Sequence, residues 1–308
     1  MSILLGDVIT LGGGGGSGGN SNEVIISDTQ PTETDNKLWV KESSSSDGIS
    51  IPTMSDISVI DNTLNQIVSP NAGSHNSIYR GKNLGSSVTA AQYAEIDAGT
   101  FNDLFIGDYW DISSVIWRIA AFDYWLNTGD GNRCQTNHVV IVPDSPLTEG
   151  KMNNSNVTTN AYIGSNFYTG ANSNTARATA QSTVKNTFGS AHILSHREFL
   201  MNAVTDGYES GHAIYDVEIE LMNEPMVYGS NILHNAQNGT NAPSNYTMSK
   251  SQLPLFQHRH DLIGNGGVWW LRDVTSPSSF ALVGAEGNAH AGAASASFGI
   301  RPAFAIKA

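Results

Sequence analysis

The chain has 308 residues, with 15 Lys and Arg against 28 Asp and Glu, which gives a formal net charge of −13. A surface this acidic repels phosphate backbones and anionic lipid headgroups, so the composition argues against nucleic-acid binding and membrane attachment. Only 14% of the residues are charged, so Asn, Ser, Thr and Gly must supply much of the solubility. The hydrophobic fraction of 39% is enough for a core and excludes global disorder.

Cysteine content and hydropathy further narrow the class of protein. A single cysteine, Cys134, excludes an intramolecular disulfide framework and a Cys-rich metal site. No stretch approaches the about 20 apolar residues of a membrane-spanning helix, so no membrane insertion is expected. The first seven residues lack the basic start of a signal peptide. The sequence therefore predicts a protein made in a cytoplasm and not exported by a cleaved leader.

Glycine dominates residues 1–22, with five in succession at Gly12–Gly16. Such a run predicts a flexible tether, and the apolar residues before it could anchor the chain to something larger. A frayed terminus without a role explains the segment equally well. Residues 23–52 follow as a short β segment and linker, with strands expected at Val24–Ile26 and Lys37–Lys41.

Residues 53–75 predict a short oligomerising helix. Its apolar positions advance by three, four and three residues through Ile57, Ile60, Leu64 and Ile67. This is the spacing of a coiled-coil seam, and Ile at the seam favours more than two strands, so a homotrimer is expected. A single amphipathic helix lying on its own domain explains the pattern about as well.

Residues 76–308 predict a domain of the α+β class. A capping box at Thr89–Gln92 opens a helix over Ala90–Ala98, and a similar pattern at Ser195–Glu198 predicts a helix to about Val204. Asn172 or Ser173 opens another helix, which ends at Gly189. Strands are expected at Tyr109–Ile112, Ser114–Phe122, His138–Val142, His192–Leu194, Val268–Arg272, Ser279–Val283 and Ser297–Ile306. Few helices among many short strands indicate an α+β fold.

The sequence contains no enzyme signature and no metal motif. The pairs His192/His196 and His258/His260 have no third ligand at a fixed spacing, whereas zinc sites use three or four protein ligands. Glu218 and Glu220 alternate along an apparent strand and are interpreted as a solvated face. Outside the glycine-rich segment of residues 1–22, no Gly-x-Ser-x-Gly elbow or phosphate loop occurs. We therefore predict no catalytic residue, no metal and no cofactor.

Two aromatic segments close the chain around a stretch of small residues. Val268–Arg272 has the sequence Val-Trp-Trp-Leu-Arg, Phe298–Phe304 has the sequence Phe-Gly-Ile-Arg-Pro-Ala-Phe, and nearly all of residues 284–296 are small. This pairing resembles the closing half of a C-type lectin-like domain of phage and bacterial surface proteins. Further segments similar to phage proteins with that domain are Ile78–Gly85, Phe105–Trp110, Trp117–Arg118 and His192–Glu198. The resemblance covers residues 76–308 and implies a C-type lectin-like fold, with short twisted strands and long loops.

In that family the domain is often diversified by a diversity-generating retroelement on the face that binds the host receptor. The resemblance places this face within residues 264–296, with the candidates Asn265, Gly266, Val268, Thr275, Leu282, Ala285, Glu286, Asn288, His290, Ala291, Gly292 and Ala294. It implies a scaffold of Trp269, Trp270, Leu271, Phe280, Phe298, Arg301 and Phe304. Met226 follows Glu224-Pro225 where calcium-dependent lectins have Asn or Asp, which argues against calcium-mediated sugar binding.

The sequence and the resemblance together predict a bacteriophage virion protein, a tail fibre or spike that attaches to the host without catalysis. Its expected partners are a host cell-surface receptor, either protein or glycan, and other virion proteins bound through the N-terminus. Because the small, neutral face gives weak single contacts, a homotrimer would bind multivalently. The alternative is a capsid or tail decoration protein, and a glycan-processing enzyme is a weaker third hypothesis.

Overall fold

The computed structural model describes residues 23–27, 37–41, 69–131, 133–162, 175–234, 251–264 and 267–308. The chain divides into two compact units, residues 1–62 and 63–308. In the first unit, β1 (Glu23–Ser27) and β2 (Lys37–Lys41) pair in parallel, which confirms both predicted strands. The glycine tether and the predicted trimer positions Ile57, Ile60, Leu64 and Ile67 lie outside the described residues.

The second unit is α+β, as predicted, with many strands and few, short helices. Its strands are β3 (Tyr109–Ile112), β4 (Val115–Phe122), β5 (Val139–Pro143), β6 (Thr148–Gly150), β7 (His196–Thr205), β8 (Tyr208–Val217), β9 (Ile219–Leu221), β10 (Trp269–Ser276), β11 (Ser279–Val283), β12 (Ala289–Ala293), β13 (Phe298–Ile300) and β14 (Pro302–Ile306). Its helices are α1 (Ala72–Asn76), α2 (Ala90–Ala98), α3 (Thr175–Phe188), α4 (Glu224–Tyr228) and α5 (Pro254–His258). Within the described parts of the chain, no helix has the length and apolar character to cross a membrane.

The strands of the second unit form two five-stranded sheets and a separate hairpin. Sheet I has the order β3-β4-β5-β14-β9, and its neighbours are all antiparallel. Sheet II has the order β12-β11-β10-β13-β6 and is mixed, because β10 and β13 run parallel. β7 and β8 pair with each other as a long antiparallel hairpin.

Sheet I lies at the centre of the larger apolar core. All five residues of β5 are buried, as expected for a strand that is covered on both faces. The ring of Trp117 packs edge-on against Phe188 at 5.3 Å and against Phe304 of β14 at 5.7 Å, so α3 packs on the aromatic face of the sheet. A second apolar cluster, which includes Met201 and Trp270, packs against sheet II.

The chain passes from sheet II to sheet I at Arg301, so the predicted single strand Ser297–Ile306 is two strands. Arg301 is completely buried. Its Nε donates to the Pro143 carbonyl at 2.8 Å, its Nη1 donates to the Leu262 carbonyl at 3.0 Å, and its guanidinium lies 4.9 Å from the Trp269 ring centroid. Burial lowers the pKa of Arg301 to about 10, so the group remains charged at neutral pH. Its hydrogen bonds join the start of β14 to the end of β5 and to the 3₁₀ turn at His260–Leu262.

Helix α2 confirms the predicted capping box and its end. The Thr89 hydroxyl accepts a hydrogen bond from the Gln92 amide at 3.2 Å, and the Gln92 side chain accepts one from the Thr89 amide at 2.9 Å. Gly99 ends the helix in the left-handed region, with φ 67°. Helix α3 likewise ends before Gly189 as predicted, whereas the residues expected to open it lie outside the described range.

The predicted helix from Ser195 to Val204 is wrong, because these residues belong to strand β7. The hairpin pairs β7 with β8 from His196 opposite Val217 to the turn. Asp206 and Gly207 form that turn with positive φ angles of 51° and 82°. An Asp-Gly pair is a strong signal for a two-residue hairpin turn, and it outweighs the capping pattern. The strand also buries alternate residues against the core, which a helix over the same segment would not do.

Two smaller expectations also differ from the structure. His192–Leu194 is not a strand, since a 3₁₀ turn over Ser190–His192 is followed by a single bridge between Ile193 and Ile306. The solvated face expected at Glu218 and Glu220 is wrong for Glu220, which is completely buried in β9. Glu218 remains partly exposed and forms an ion pair with Lys185 at 2.5 Å.

Candidate functional site

The predicted variable window forms one end of sheet II. Strands β10, β11 and β12 are neighbours there, and β12 is the edge strand. Residues 284–288 connect β11 to β12, whose register places Phe280 opposite Gly292 and Leu282 opposite His290. An edge strand presents a row of backbone donors and acceptors to its surroundings, so this hairpin is suited to contact another molecule.

An aromatic base supports the hairpin. Trp269 and Trp270 are buried in β10, where their indole N–H groups donate to the carbonyls of Ile263 at 3.2 Å and Gly150 at 2.8 Å. Phe298 packs edge-on against Trp270 at 4.9 Å and is only partly buried. The other residues predicted as scaffold are all buried, namely Leu271, Phe280, Arg301 and Phe304. The base is therefore apolar, closely packed and hydrogen-bonded at its polar edges.

Five of the predicted receptor-binding residues are exposed around the turn and the edge strand, and we call this set the hairpin face. Its members are Ala285, Glu286 and Asn288 in the turn and His290 and Ala291 in β12. Of the other candidates, Val268 and Thr275 are partly exposed, and Asn265 and Gly266 lie outside the described residues. The hairpin face thus carries one carboxylate, one amide and one imidazole among small side chains.

Leu282, Gly292 and Ala294 are buried and do not belong to the hairpin face. A Cβ atom placed on Gly292 would lie 2.5 Å from a Leu282 methyl group and 2.9 Å from the rings of Trp270 and Phe298. The pleat directs these positions inward, so they cannot present variable side chains to a receptor in this conformation. The expected variable face is corrected accordingly at these three positions.

The turn of the hairpin is held in place by neighbouring backbone. The Tyr228 hydroxyl donates to the Gly287 carbonyl at 3.1 Å, and Gly287 has φ 85°. Gly264 approaches so closely that a Cβ there would lie 2.3 Å from the Gly287 nitrogen. A loop that is fixed before binding loses less conformational freedom when a partner binds.

A polar group of side chains consists of Glu209 of β8, His234 and Asp273 of β10, and we call it the Glu209 cluster. Glu209 accepts from His212 Nε2 at 2.8 Å, and His234 Nε2 lies 3.3 Å from the same oxygen. Burial acts to raise the pKa of Glu209, but the hydrogen bonds from His212 and His234 outweigh it and lower that pKa to about 2. Burial acts to lower the pKa of His234, but Glu209 and Asp273 raise it to about 9.

The Glu209 cluster is completed by main-chain contacts. Burial raises the pKa of Asp273 to about 6, and its Oδ2 accepts from the Glu224 amide at 2.6 Å. The Glu224 carboxylate in turn accepts from the amides of Ile232, Leu233 and His234 at 2.9 to 3.0 Å. These bonds fix the segment after α4, so the described contacts of this cluster support a structural role.

A second buried group consists of His196 and Glu198 of β7 and Glu220 of β9, which we call the His196 cluster. One ligand atom from each side chain lies within 4.8 Å of the other two, and all three residues are buried. Nε2 of His196 is 3.8 Å from a Glu198 oxygen, and neither ring nitrogen of His196 has a hydrogen-bond partner. Burial, together with His138 and Arg272, lowers the pKa of His196 well below its usual value, so the imidazole is neutral.

Aromatic and cationic side chains enclose the His196 cluster. Trp125 stacks on the His196 ring with centroids 4.0 Å apart. Arg272 of β10 is buried and donates through Nη1 to Glu220 and, at 3.1 Å, to the Leu221 carbonyl. Nearby His138 differs from His196, since its Nε2 accepts from the Trp125 amide at 3.1 Å and its Nδ1 donates to a carbonyl. His196, Glu198 and Glu220 are all buried, so the cluster is closed to solvent.

Neither cluster was predicted from the sequence. A helix over residues 195–204 would direct His196 and Glu198 to different sides, whereas residues two apart in a strand share a face. The available signal was a His-x-Glu pair just before a segment that ends in the Asp206-Gly207 hairpin turn. The partner Glu220 could not be located from the sequence, since its side-chain environment depends on how β9 packs.

Comparisons with protein families, with curated proteins and with solved structures found no match to this chain.

Proposed function

We propose that this chain is a phage virion fibre or spike protein that binds a host cell-surface receptor without catalysis. The receptor contacts the hairpin face, at the end of a domain with a C-type lectin-like fold, and several copies bind together. One observation carries the proposal: the hairpin has exposed polar and small side chains, and the strand beside it contributes a buried aromatic base. Such a surface can change its side chains without disturbing the core.

The composition of the hairpin face supports a contact that is weak per copy. Glu286, Asn288 and His290 are its polar side chains, and Ala285 and Ala291 add little apolar area. Specific protein interfaces generally depend on large aromatic or Arg anchors, which this face lacks. Useful affinity then requires several linked copies, because linkage raises the effective concentration of each further contact. The proposed homotrimer supplies those copies.

The test compares adsorption of purified proteins to candidate host cells. The binding variant carries Glu286→Ala, Asn288→Ala and His290→Ala. A matched control carries Asp97→Ala, Asn186→Ala and His258→Ala, which remove one acid, one amide and one imidazole from exposed positions outside the window. We expect adsorption to fall at least about tenfold in the binding variant and to stay within about twofold of wild type in the control.

Melting temperatures of all three proteins check that folding is unchanged. Equal adsorption by the binding variant and the wild type would contradict the proposed face. Absence of adsorption by the wild type to any host, combined with particles that fall apart without the protein, would favour a decoration protein. Turnover of host glycans that is abolished by one carboxylate substitution would instead support an enzyme.

A further inference from the structure

We infer that the His196 cluster is a structural zinc site, in which His196, Glu198 and Glu220 bind one Zn²⁺ between the β7–β8 hairpin and sheet I. This inference does not depend on the proposed receptor-binding function. Its starting point is the imidazole of His196, which is wholly buried and has no hydrogen-bond partner on either nitrogen. A buried polar group without a partner costs about 1–3 kcal/mol, so such a group calls for an explanation.

The arrangement of the three side chains fits a cation. His196 and Glu198 point to the same side of β7 because they are two residues apart, and Glu220 lies on β9 opposite the small residue Ala303 of β14. Their ligand atoms lie within 4.8 Å of one another. A tetrahedral ion with bonds of about 2.0–2.2 Å holds its ligand atoms about 3.4 Å apart, so the three groups need only a small movement to bind it. The fourth position would be taken by a second carboxylate oxygen or by a water molecule.

The charges near the cluster also favour a divalent cation. Arg272 interacts with the three carboxylates of Glu198, Glu220 and Asp273. Glu198 and Glu220 are both buried, and a divalent cation between them would offset the cost of burying two negative charges. The contact between Arg272 and Glu220 is compatible with binding, because a carboxylate has two oxygens and can accept from a guanidinium while coordinating an ion.

The ligand types select zinc among common cations. Ca²⁺ and Mg²⁺ prefer sites made only of oxygen ligands and usually keep several of them, which an imidazole with two carboxylates does not provide. Zn²⁺ accepts nitrogen and carboxylate ligands with a low coordination number and exceeds Mn²⁺ and Fe²⁺ in affinity. Because the cluster is sealed, the ion would enter as the chain folds and would exchange slowly afterwards.

The experiment measures zinc retained after refolding. The full chain is unfolded with a chelator, refolded with ZnCl₂, desalted and analysed by mass spectrometry for metal content. The ligand variants are His196→Gln and Glu198→Gln. The matched control is His138→Gln, which changes another buried histidine that stacks near Trp125 but does not belong to the cluster.

We expect about one zinc per chain in the wild type and the control, and at least a tenfold loss in both ligand variants. Refolding with zinc should also raise the melting temperature of the wild type relative to chelator, and should leave the ligand variants unchanged. Glu198→Gln keeps the shape of the side chain, so it serves if His196→Gln does not fold. Equal zinc in wild type and ligand variants, less than about a tenth of an equivalent in the wild type, or selective retention of Mn²⁺ or Ca²⁺ would overturn the inference.

Discussion

The hairpin face and the His196 cluster place their polar groups in opposite environments. Glu286, Asn288 and His290 are exposed above an apolar base, whereas His196 and Glu220 are enclosed by the core. A substitution in the first region changes surface chemistry and leaves no buried partner behind. A substitution in the His196 cluster leaves a buried polar group without its partner, and the free energy of unfolding then falls by the cost of desolvating that group. Side chains of the hairpin face can therefore be exchanged with little effect on stability, because the aromatic base separates them from the buried charges.

The largest effect is expected when the buried guanidinium of Arg272 is removed from the core. Arg272→Ala leaves the buried Glu220 carboxylate without its guanidinium, and we expect the free energy of unfolding to fall by about 3–5 kcal/mol. Urea unfolding at pH 7 in the presence of chelator measures the effect without a contribution from bound metal. The double variant Arg272→Met/Glu220→Gln should recover much of the loss, because it removes both charges. A loss below about 1 kcal/mol in Arg272→Ala would contradict the assigned cost of the buried charge.

A smaller effect is expected at the boundary between the base and the hairpin face. Gly292→Val should destabilise the protein by about 1–3 kcal/mol, since its side chain would collide with Leu282, Trp270 and Phe298. Ala291→Val, at the adjacent exposed position, should stay within about 0.5 kcal/mol of wild type. Thermal and urea unfolding of the two variants give the comparison. Equal stability of the two variants would contradict the assignment of Gly292 to the buried base and of Ala291 to the exposed face.

The smallest effect concerns the pH dependence of the Glu209 cluster. The pKa of His234, raised to about 9, adds stability that is complete below about 6.5 and is lost as the pH rises through 9. The pKa of Glu209, lowered to about 2, adds stability that is present above about 4.5 and is lost as the pH falls towards 2. Asp273, Glu224 and His212 face the same pair.

The test of that pH dependence is the difference in unfolding free energy between wild type and His234→Gln. We expect this difference to be largest between about pH 5 and 6.5 and to shrink by about 1–2 kcal/mol by pH 9.5. Other titrating groups contribute to both proteins and largely cancel in the difference. A difference that grows above pH 7 would show that His234 is not stabilised as a cation.

Local signals in the sequence were sufficient for several elements. The capping box at Thr89 and the glycine at position 99 fixed both ends of α2, because each supplies its own hydrogen bonds or backbone conformation. Strands with dense aromatic and β-branched residues, such as β4 and β10, were also found, although their ends differ by a few residues. Among the candidate site residues, those in the turn between β11 and β12 are small or polar, so their exposure could be expected from the sequence.

Features that depend on contacts between distant segments were not predictable in the same way. Ser195 and Glu198 have the local pattern of a helix start, but pairing with β8 makes the segment a strand. Glu220 alternates with Glu218 as a surface residue would, yet Arg272, some fifty residues further along the chain, holds it in the core. The inward direction of Gly292 likewise depends on the ring of Trp270 beneath it. Periodicity describes one segment, whereas burial is decided by what packs against it.

The position of β14 inside sheet I has a consequence for how the protein reaches its native state. Phe304 of β14 pairs with Ile141 of β5 on one side and Ile219 of β9 on the other. All of β6 to β13 lies between β5 and β14 in the sequence, so the central pairing has a high contact order and is expected to form late. Until it forms, β5 has an open apolar edge that can pair with another chain. The time for which that edge stays open during synthesis then sets how much of the protein folds and how much aggregates.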